Sequence, residues 1–201
     1  MSTTVAPAGP DFKPYRNTPD GIAHHAPPGT PMIDGKYPIV TGLEHNEAGH
    51  PDAQPHNHAT MVAKRRRKLE VLASRLPKAT VHGAPEGDVL LVGWGSTQGP
   101  IRAAVARARA NGQSVSALHL RYLLPFQPGI QEILEGFHHV FVVEMNDQDL
   151  HGRGQLGSRL QAAFSHPDIR GINKTEGLSF KVREILQQME AKLSAPAKEQ
   201  A

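Results

Sequence analysis

"DVLLVGWGSTQGPIRAAVARARANG", residues 88–112, is the stretch from which the fold can be predicted. Its first seven residues are almost continuously apolar, as in a strand that is covered on both faces of a parallel sheet. A glycine-containing turn follows, and then an alanine-rich helix for which Gly112 suits the C-terminal cap. The stretch therefore predicts a strand, a loop and a helix in that order.

The same alternation continues to residue 193. Three further runs are predicted as strands: "SVSALHL", "HVFVVEM" and the weaker "DIRGI". Three further segments are predicted as helices: "GIQEILEGF", "RGQLGSRLQAAF" and the amphipathic "SFKVREILQQMEAKL". Strands that alternate with helices of this length indicate βαβ units. We therefore predict an α/β domain over residues 88–193, with an open, mostly parallel sheet and flanking helices in a Rossmann-like three-layer arrangement.

The chain before this domain has a different character. Residues 1–57 are rich in proline, glycine and histidine, and each proline removes a hydrogen-bond donor and restricts its preceding neighbour. We predict an extended arm that lies against another surface, because it has too few apolar residues for a core of its own. An amphipathic helix and a linker are predicted over residues 58–87, and a disordered tail over residues 194–201.

Composition excludes several classes of function. The 201 residues include no cysteine, which excludes disulfides and cysteine-ligated iron–sulfur clusters on this polypeptide. The net charge of +3 is too small to indicate a nucleic-acid partner. No signal peptide and no apolar run long enough to cross a membrane is recognised. We expect a cytoplasmic protein with no membrane partner.

Two groups of residues are predicted near the ends of strands. Gly93, Gly95, Ser96 and Gly99 lie between a strand and a helix, where a nucleotide or another anion can bind. They are the basis of an alternative reading as a free-standing α/β domain that binds a nucleotide or an anion. The next strand lacks the acidic residue that usually holds a ribose, so a simple tight turn is the alternative. In the third strand, "VVEMN" places Glu144 and Asn146 at the edge where α/β sheets hold their ligands.

Histidines and basic residues suggest two further possibilities. His45, His50, His56 and His58 form the basis of an alternative reading as a histidine-rich metal-binding protein, although their spacing does not match a helical zinc motif. The run "KRRRK", residues 64–68, lacks the interleaved aromatic residues that favour nucleic-acid binding. We interpret the run as a subunit contact or a solvated surface.

Six phrases, in this order and with similar gaps, carry a resemblance to a known family: "RNTPDGIAHHAPPGTP", "VTGLEHNEAGH", "MVAKRRRKLE", "VLLVGWGSTQGP", "LHLRYLLPFQP" and "FVVEMNDQDLHGRGQL". The set resembles the C-terminal part of the alpha subunit of 2-oxoacid:ferredoxin oxidoreductases, the 2-oxoglutarate type in particular. The resemblance covers roughly residues 12–190. It implies that the α/β domain is transketolase C-terminal-like.

The resemblance also implies a function. Such enzymes use thiamine diphosphate, magnesium and a [4Fe-4S] cluster to convert a 2-oxoacid reversibly to an acyl-CoA, with ferredoxin and coenzyme A as partners. The family's diphosphate motif and cluster cysteines are not in this chain. We therefore expect no cofactor and no catalytic residue on the chain alone. Its expected role is a structural, subunit-contact module that joins a beta subunit and the remaining alpha and gamma domains.

The expected site residues follow from the same resemblance. Many family members have Ser-Pro-Arg where this chain has Ala23, His24 and His25. An arginine there would suit a substrate carboxylate, so the departure leaves the 2-oxoacid open. The arm is expected to cross near the thiamine site and the subunit boundary. His24, His25, His45 and Glu47, with Glu144 and Asn146, are thus expected at the edge of the substrate pocket or at a subunit contact.

Overall fold

The computed structural model describes residues 11–27, 39–166 and 168–195. Its contacts divide the chain into two compact units, Met1–Leu76 and Pro77–Ala201. The division falls inside the segment for which a helix and a linker were predicted. The first unit spans the whole predicted arm, residues 1–57, and the second spans the predicted α/β domain, residues 88–193.

The N-terminal unit is built on one helix, α1, Pro55–Arg75. The helix begins three residues before the predicted segment because Pro55 occupies its first turn, where proline's missing N–H has no intrahelical partner to lose. Among the described residues of this unit, Met61 and Leu76 are the only buried apolar side chains. Asn57 and Lys64 are buried as well, so polar groups form a large share of its interior.

The C-terminal unit contains five strands and four helices among its described residues. The strands are β1 Val81–His82, β2 Gly87–Trp94, β3 Val115–Leu120, β4 Phe137–Glu144 and β5 Ile169–Asn173. The helices are α2 Gln98–Ala110, α3 Ile130–Glu135, α4 Gln155–Ala163 and α5 Val182–Ser194. A short 3-10 turn, Gly95–Thr97, joins β2 to α2.

The strand order is β1-β3-β2-β4-β5. The pairs β2–β3, β2–β4 and β4–β5 are parallel, and β1 is an antiparallel edge strand beside β3. The predicted open, mostly parallel α/β sheet is therefore confirmed. The two-residue strand β1 lies in the segment predicted as linker, because a strand this short leaves no periodic pattern in the sequence.

Both faces of the sheet are covered by apolar side chains. Leu91 and Phe141 belong to one buried cluster, together with residues of α2 and α5. Leu90 and Val142 belong to the opposite cluster, which includes residues of α3 and α4. Neighbouring strand residues thus point into different cores, which explains why β2 and β4 are continuously apolar.

The connections determine which end of the sheet gathers loops. From β2 the chain passes through α2 to β3 on one side of β2, and from β3 it passes through α3 to β4 on the other side. The order therefore reverses between β2 and β4, and a crevice at such a reversal is where open α/β sheets hold ligands. Among the described residues, no helix combines the length and apolarity needed to cross a bilayer.

Candidate functional site: the carboxyl edge of the sheet and the arm

The structure brings together the two residue groups predicted at strand ends. Ser96, in the turn after β2, contacts Met145, in the turn after β4, with 3.8 Å between the Ser96 Oγ and the Met145 Sδ. Parallel strands place their carboxyl ends at one edge, so this proximity follows from the topology. The predicted glycine loop and the pair Glu144 and Asn146 therefore share one edge of the sheet.

The glycines of this loop have structural reasons to be there. A Cβ at Gly93 would overlap the side chains of Ile101 and Thr97, so glycine allows α2 to approach the strand closely. Gly95 has φ +57°, a backbone conformation that favours glycine. No atom lies within 4 Å of a Cβ built at Gly99. The nucleotide-binding reading of Gly93, Gly95, Ser96 and Gly99 remains a prediction, and the turn itself accounts for two of the three glycines.

Glu144 is fully buried and anchors the start of α4. Its carboxylate accepts hydrogen bonds from the backbone N–H of Leu156 at 2.9 Å and of Gly157 at 3.0 Å. The Asn146 side chain donates to the same carboxylate at 3.1 Å. A carboxylate at a helix N-terminus is stabilised by the unpaired N–H groups and the helix dipole. A Cβ at Gly154 would overlap this carboxylate, so glycine is required for space.

Asp149 organises the loop between β4 and α4. Its side chain accepts hydrogen bonds from the backbone N–H of His151 at 2.8 Å and of Arg153 at 3.0 Å. The Ser158 hydroxyl donates to it at 2.6 Å. The hydrogen bond from Ser158, with those from the backbone, lowers the pKa of Asp149 to about 2. The loop is thus held in a defined conformation by an ionised carboxylate.

Four loops at the carboxyl edge each expose one large apolar side chain. We call this set the apolar rim: Trp94 at the end of β2, Leu124 after β3, Leu150 after β4 and Leu178 after β5. Leu150 has a relative exposure of 102%. Scattered exposed leucines are ordinary, but one large apolar side chain at or after the end of every parallel strand makes this edge a candidate contact surface.

In the N-terminal unit, the arm is packed on α1 through aromatic and cationic groups. The Tyr15 and His45 rings lie with their centroids 3.8 Å apart. The buried Lys64 ammonium donates to the Tyr15 carbonyl at 2.8 Å and lies 5.8 Å from the Tyr15 ring centroid. Burial lowers the pKa of Lys64 from its ordinary value. A Cβ at Gly21 would overlap the Lys64 carbonyl, so the arm also meets the helix backbone directly.

Two glutamates connect the arm internally and to α1. The Glu44 carboxylate accepts hydrogen bonds from both terminal nitrogens of the Arg65 guanidinium, at 3.1 and 2.8 Å. One of its oxygens lies 2.5 Å from the His58 Nδ1. These contacts, that of Arg65 first, lower the pKa of Glu44 to about 2. Glu47 accepts from the Asn17 N–H at 2.6 Å and from Lys13 at 3.2 Å. The Asn17 N–H is the main cause of a lowered pKa of Glu47.

The basic run 64–68 therefore has a role that its sequence did not suggest. Lys64 and Arg65 bind the arm as described, and Arg67 donates to the Asn17 side chain at 2.5 Å and the Thr18 carbonyl at 2.9 Å. Arg66 pairs with Glu70 on the same helix at 3.6 Å. The run is neither a solvated surface alone nor a nucleic-acid patch in this structure: most of it anchors the arm of the same chain.

Among the described residues, the remaining histidines of the arm differ from His45 in their exposure and do not form a metal-binding cluster with it. His24, His25, His50 and His56 are exposed, whereas the half-buried His45 has its Nδ1 2.9 Å from the Leu43 carbonyl. Within residues 11–27, 39–166 and 168–195, no three histidine or carboxylate side chains converge as a metal site requires. The expected role of His24, His25, His45 and Glu47 at a substrate pocket stays a prediction, and the two contacts of Glu47 join parts of the arm.

One feature of the C-terminal unit was not foreseen from the sequence. A cavity of about 330 Å³ lies beside the carboxyl end of β3, and its lining includes Gln98, Arg102, His119 and Arg121. His119 could have indicated this cavity from the sequence, because it is the only ionisable residue in the β3 run "VSALHL". This signal was incomplete without β1, whose Val81 and His82 also line the cavity.

Comparison with known proteins gives a consistent family relationship. Residues 87–185 match the family model of pyruvate:ferredoxin oxidoreductase core domain II. The chain is 36% identical over 186 residues to the 2-oxoglutarate oxidoreductase subunit KorA of Mycobacterium tuberculosis, a match that covers 90% of this chain and 26% of the relative. It is 36% identical over 172 residues to the alpha subunit of 2-oxoacid:ferredoxin oxidoreductase 2 of Aeropyrum pernix, covering 83% of this chain and 25% of that one.

A solved structure shows the same relationship. The chain superimposes with a TM-score of 0.74 and 30% identity on the 2-oxoglutarate:ferredoxin oxidoreductase of Magnetococcus marinus, solved with 2-oxoglutarate, coenzyme A and succinyl-CoA bound. The match covers 94% of this chain and 32% of that chain. The chain thus spans about a quarter of the length of the curated relatives and a third of the solved one.

Proposed function

Through residues 87–185 the chain belongs to the pyruvate:ferredoxin oxidoreductase core domain II family, and we propose that it is a structural, subunit-contact module of a thiamine-diphosphate-dependent 2-oxoacid:ferredoxin oxidoreductase. In this proposal the complete enzyme converts a 2-oxoacid and coenzyme A to an acyl-CoA and carbon dioxide. The electrons released pass to ferredoxin, and the reaction is reversible. The module holds the catalytic domains in position and has no turnover by itself.

The apolar rim is the observation that carries this proposal. Trp94, Leu124, Leu150 and Leu178 are exposed on four successive loops of one edge, although the same unit buries its core residues almost completely. An apolar surface of this kind lowers its free energy when a partner removes it from water. The chain covers only 32% of the solved relative. The corresponding remaining domains are the partner we propose for the rim.

The residues of this chain do not fit the cofactors of such an enzyme. A [4Fe-4S] cluster is held by cysteine thiolates, and the chain contains no cysteine. Among the described residues, no cluster of histidine and carboxylate side chains is suited to a magnesium ion. We therefore propose that thiamine diphosphate, magnesium and the cluster are bound by a beta subunit and the remaining alpha and gamma domains. Since ferredoxin and coenzyme A are soluble carriers, we propose a cytoplasmic location for the complex.

The experiment that tests this proposal is reconstitution. The full chain is coexpressed with the polypeptides that carry the thiamine-binding domains and the cluster, and the complex is isolated through a tag on this chain. We expect a stable complex that reduces ferredoxin in the presence of a 2-oxoacid and coenzyme A. We expect no ferredoxin reduction from either part alone.

Matched variants locate the contact. Leu150→Asp places a charge on the apolar rim, and Leu193→Asp places the same charge on an exposed leucine in the last turn of α5. Leu150→Asp should weaken the complex by about tenfold or more, because a charge buried in the proposed interface loses its water without gaining a partner. Equal affinity of the two variants, with both folded by circular dichroism, would contradict the assignment of the rim.

A further inference from the structure

We propose that the C-terminal unit contains an anion-binding site that shares Gln98 with the glycine loop, residues 93–99, and contains no residue of the apolar rim. The site is the cavity beside β3, and its ligand is a small organic anion that carries phosphate or carboxylate groups. Its cationic residues are Arg102, in the first half of α2, and Arg121, directly after β3. The proposal is independent of the subunit-contact function, because all lining residues belong to the C-terminal unit.

The charges of the cavity favour an anion. Arg102 and Arg121 both line it, and among the described residues neither guanidinium makes a hydrogen bond or an ion pair. The lining contains no aspartate or glutamate. Both arginines are exposed, and two cationic side chains that line one cavity without a counter-charge give it a positive potential that favours an anion.

His119 adds a half-buried imidazole with one shielded nitrogen that has no partner among the described residues. It lies on the same face of β3 as Ala117, two residues earlier, which packs against α2. Its Nδ1 atom is shielded from solvent and has no hydrogen-bond partner among the described residues. A buried nitrogen without a partner is uncommon and needs an explanation. Because Nδ1 is shielded from solvent, we expect it to gain a ligand oxygen as its partner when the imidazole ring turns towards the cavity.

The electrostatics of His119 agree with this assignment. Burial, and then the charge of Arg102, lower the pKa of His119 from its ordinary value, so the imidazole is neutral at neutral pH and retains one N–H donor. The charged and titratable groups that face it are Arg102 on α2, Arg121 after β3 and His82 on β1. An anion bound among them reverses the local field, and it therefore raises the pKa of His119.

The remaining lining completes a polar cradle. Gln98 is the first residue of α2, so the positive end of a 13-residue helix lies at the cavity. The volume of about 330 Å³ falls at the lower end of the range for small-molecule sites. This volume exceeds the size of one phosphate or carboxylate group, which is why the proposed ligand is an organic anion.

Titration calorimetry on the full chain tests the proposal with pyrophosphate and citrate as probes, at constant ionic strength. We expect saturable binding of at least one probe with one site per chain. Pyrophosphate alone indicates a phosphorylated ligand, and citrate alone indicates a polycarboxylate. Arg102→Gln and Arg121→Gln should each weaken binding by about tenfold, since each removes a charge-assisted hydrogen bond.

Arg107→Gln is the matched control. It removes the same charge from the same helix, and Arg107 is exposed like Arg102 but does not line the cavity, so the affinity of this variant should stay within about twofold of the wild type. Nuclear magnetic resonance of the His119 ring, assigned with His119→Gln, gives a second readout on the wild-type chain. The pKa of His119 should rise when the probe is added.

Three results would overturn the proposal: no saturable binding of either probe, equal weakening by Arg107→Gln and Arg102→Gln, or a His119 resonance that neither probe perturbs.

Discussion

The two units of this chain are stabilised in opposite ways. In the C-terminal unit, strands such as β2 bury four consecutive apolar residues, from Val89 to Val92, between helices on both faces. In the N-terminal unit, described contacts between the arm and α1 are mainly hydrogen bonds and ion pairs, such as those of Lys64 and Arg65. The comparison teaches that a proline-broken segment can adopt a defined conformation on one polar helix without a large core.

This difference determines what perturbs each unit. Apolar burial does not depend on electrostatic screening. Exposed ion pairs do, because the Debye length is only about 10 Å at an ionic strength of about 0.1 M. Loss of one core residue leaves a cavity that close-packed neighbours cannot fill. Loss of one polar contact in the arm affects a few residues only. The predictions below run from the core, where the expected effect is largest, to the exposed ion pair of Glu44.

Phe141→Ala should cause the largest loss of stability. Phe141 is fully buried in the cluster between the sheet, α2 and α5. Its truncation removes a large apolar surface and leaves a cavity, which costs about 3–5 kcal/mol. Urea unfolding followed by the fluorescence of Trp94, the only tryptophan of the chain, reports on this unit specifically. An unchanged midpoint would mean that Phe141 is not in a close-packed core.

Glu144→Ala should have the next largest effect. The change leaves the backbone N–H groups of Leu156 and Gly157 without their acceptor, and we expect a loss of about 2–3 kcal/mol in the unfolding free energy. Hydrogen exchange should increase first in α4. Glu132→Ala, at an exposed position of α3, is the matched control and should change stability by less than about 0.5 kcal/mol.

The Glu144 result also decides between two roles. If the side chain only anchors α4, Glu144→Ala lowers stability and leaves any affinity of the complex for its substrates unchanged once folding is restored by lower temperature. If it lies at a ligand pocket as the sequence predicts, affinity falls as well. Measurement of the Michaelis constant of the reconstituted enzyme at low temperature separates these outcomes.

Lys64→Met should loosen the arm and leave the sheet intact. The change keeps an apolar side chain of similar length but leaves the Tyr15 carbonyl without its donor, at a cost of about 1–2 kcal/mol. Hydrogen exchange measured by mass spectrometry should increase in residues 11–27, and the Trp94 unfolding midpoint should not move. Lys68→Met, at an exposed position of the same basic run, should change neither. Equal exchange in both variants would contradict the anchoring role.

The predictability of the two units differs for the same physical reason. β2 and β4 could be predicted because burial on both faces forces a local pattern, continuous apolar residues, that is visible in the sequence. β1 could not, because its two residues take their conformation from β3. The composition of the carboxyl edge could also be predicted. Ser96 and Met145 follow the carboxyl ends of two parallel strands, so they lie at the same edge of the sheet.

The contacts of the arm could not be predicted from the sequence. Lys64, Arg65, Arg66 and Lys68 look alike as sequence, and only the fold decides that Lys64 is buried while Lys68 is exposed. Likewise, Glu44 has several histidines and arginines as possible partners, and its choice of His58 and Arg65 depends on where α1 begins. The cavity at His119 required the position of β1, which was missed.

Arg65→Gln gives the smallest expected effect and addresses the exposed ion pairs directly. Glu44 has a pKa of about 2, caused first by Arg65 and then by His58. A carboxyl group whose pKa is lower in the folded than in the unfolded state stabilises the fold above the unfolded value, near 4.3, and loses that contribution as the pH falls towards 2. The arm should therefore loosen in this acidic range, before the core of the C-terminal unit is affected.

The carboxyl resonance of Glu44, titrated by nuclear magnetic resonance, measures this contribution. In Arg65→Gln its pKa should rise towards 4.3, and the arm should loosen at a higher pH than in the wild type, with only a small loss of stability at neutral pH because solvent screens the pair. Arg66→Gln, which removes a neighbouring charge that pairs with Glu70 instead, should leave the titration of Glu44 nearly unchanged. If both variants raise the pKa of Glu44 equally, the overall positive charge of the helix lowers that pKa, and not the hydrogen bonds from Arg65. The Arg65–Glu44 pair could then no longer be used as evidence that polar contacts hold the arm on α1.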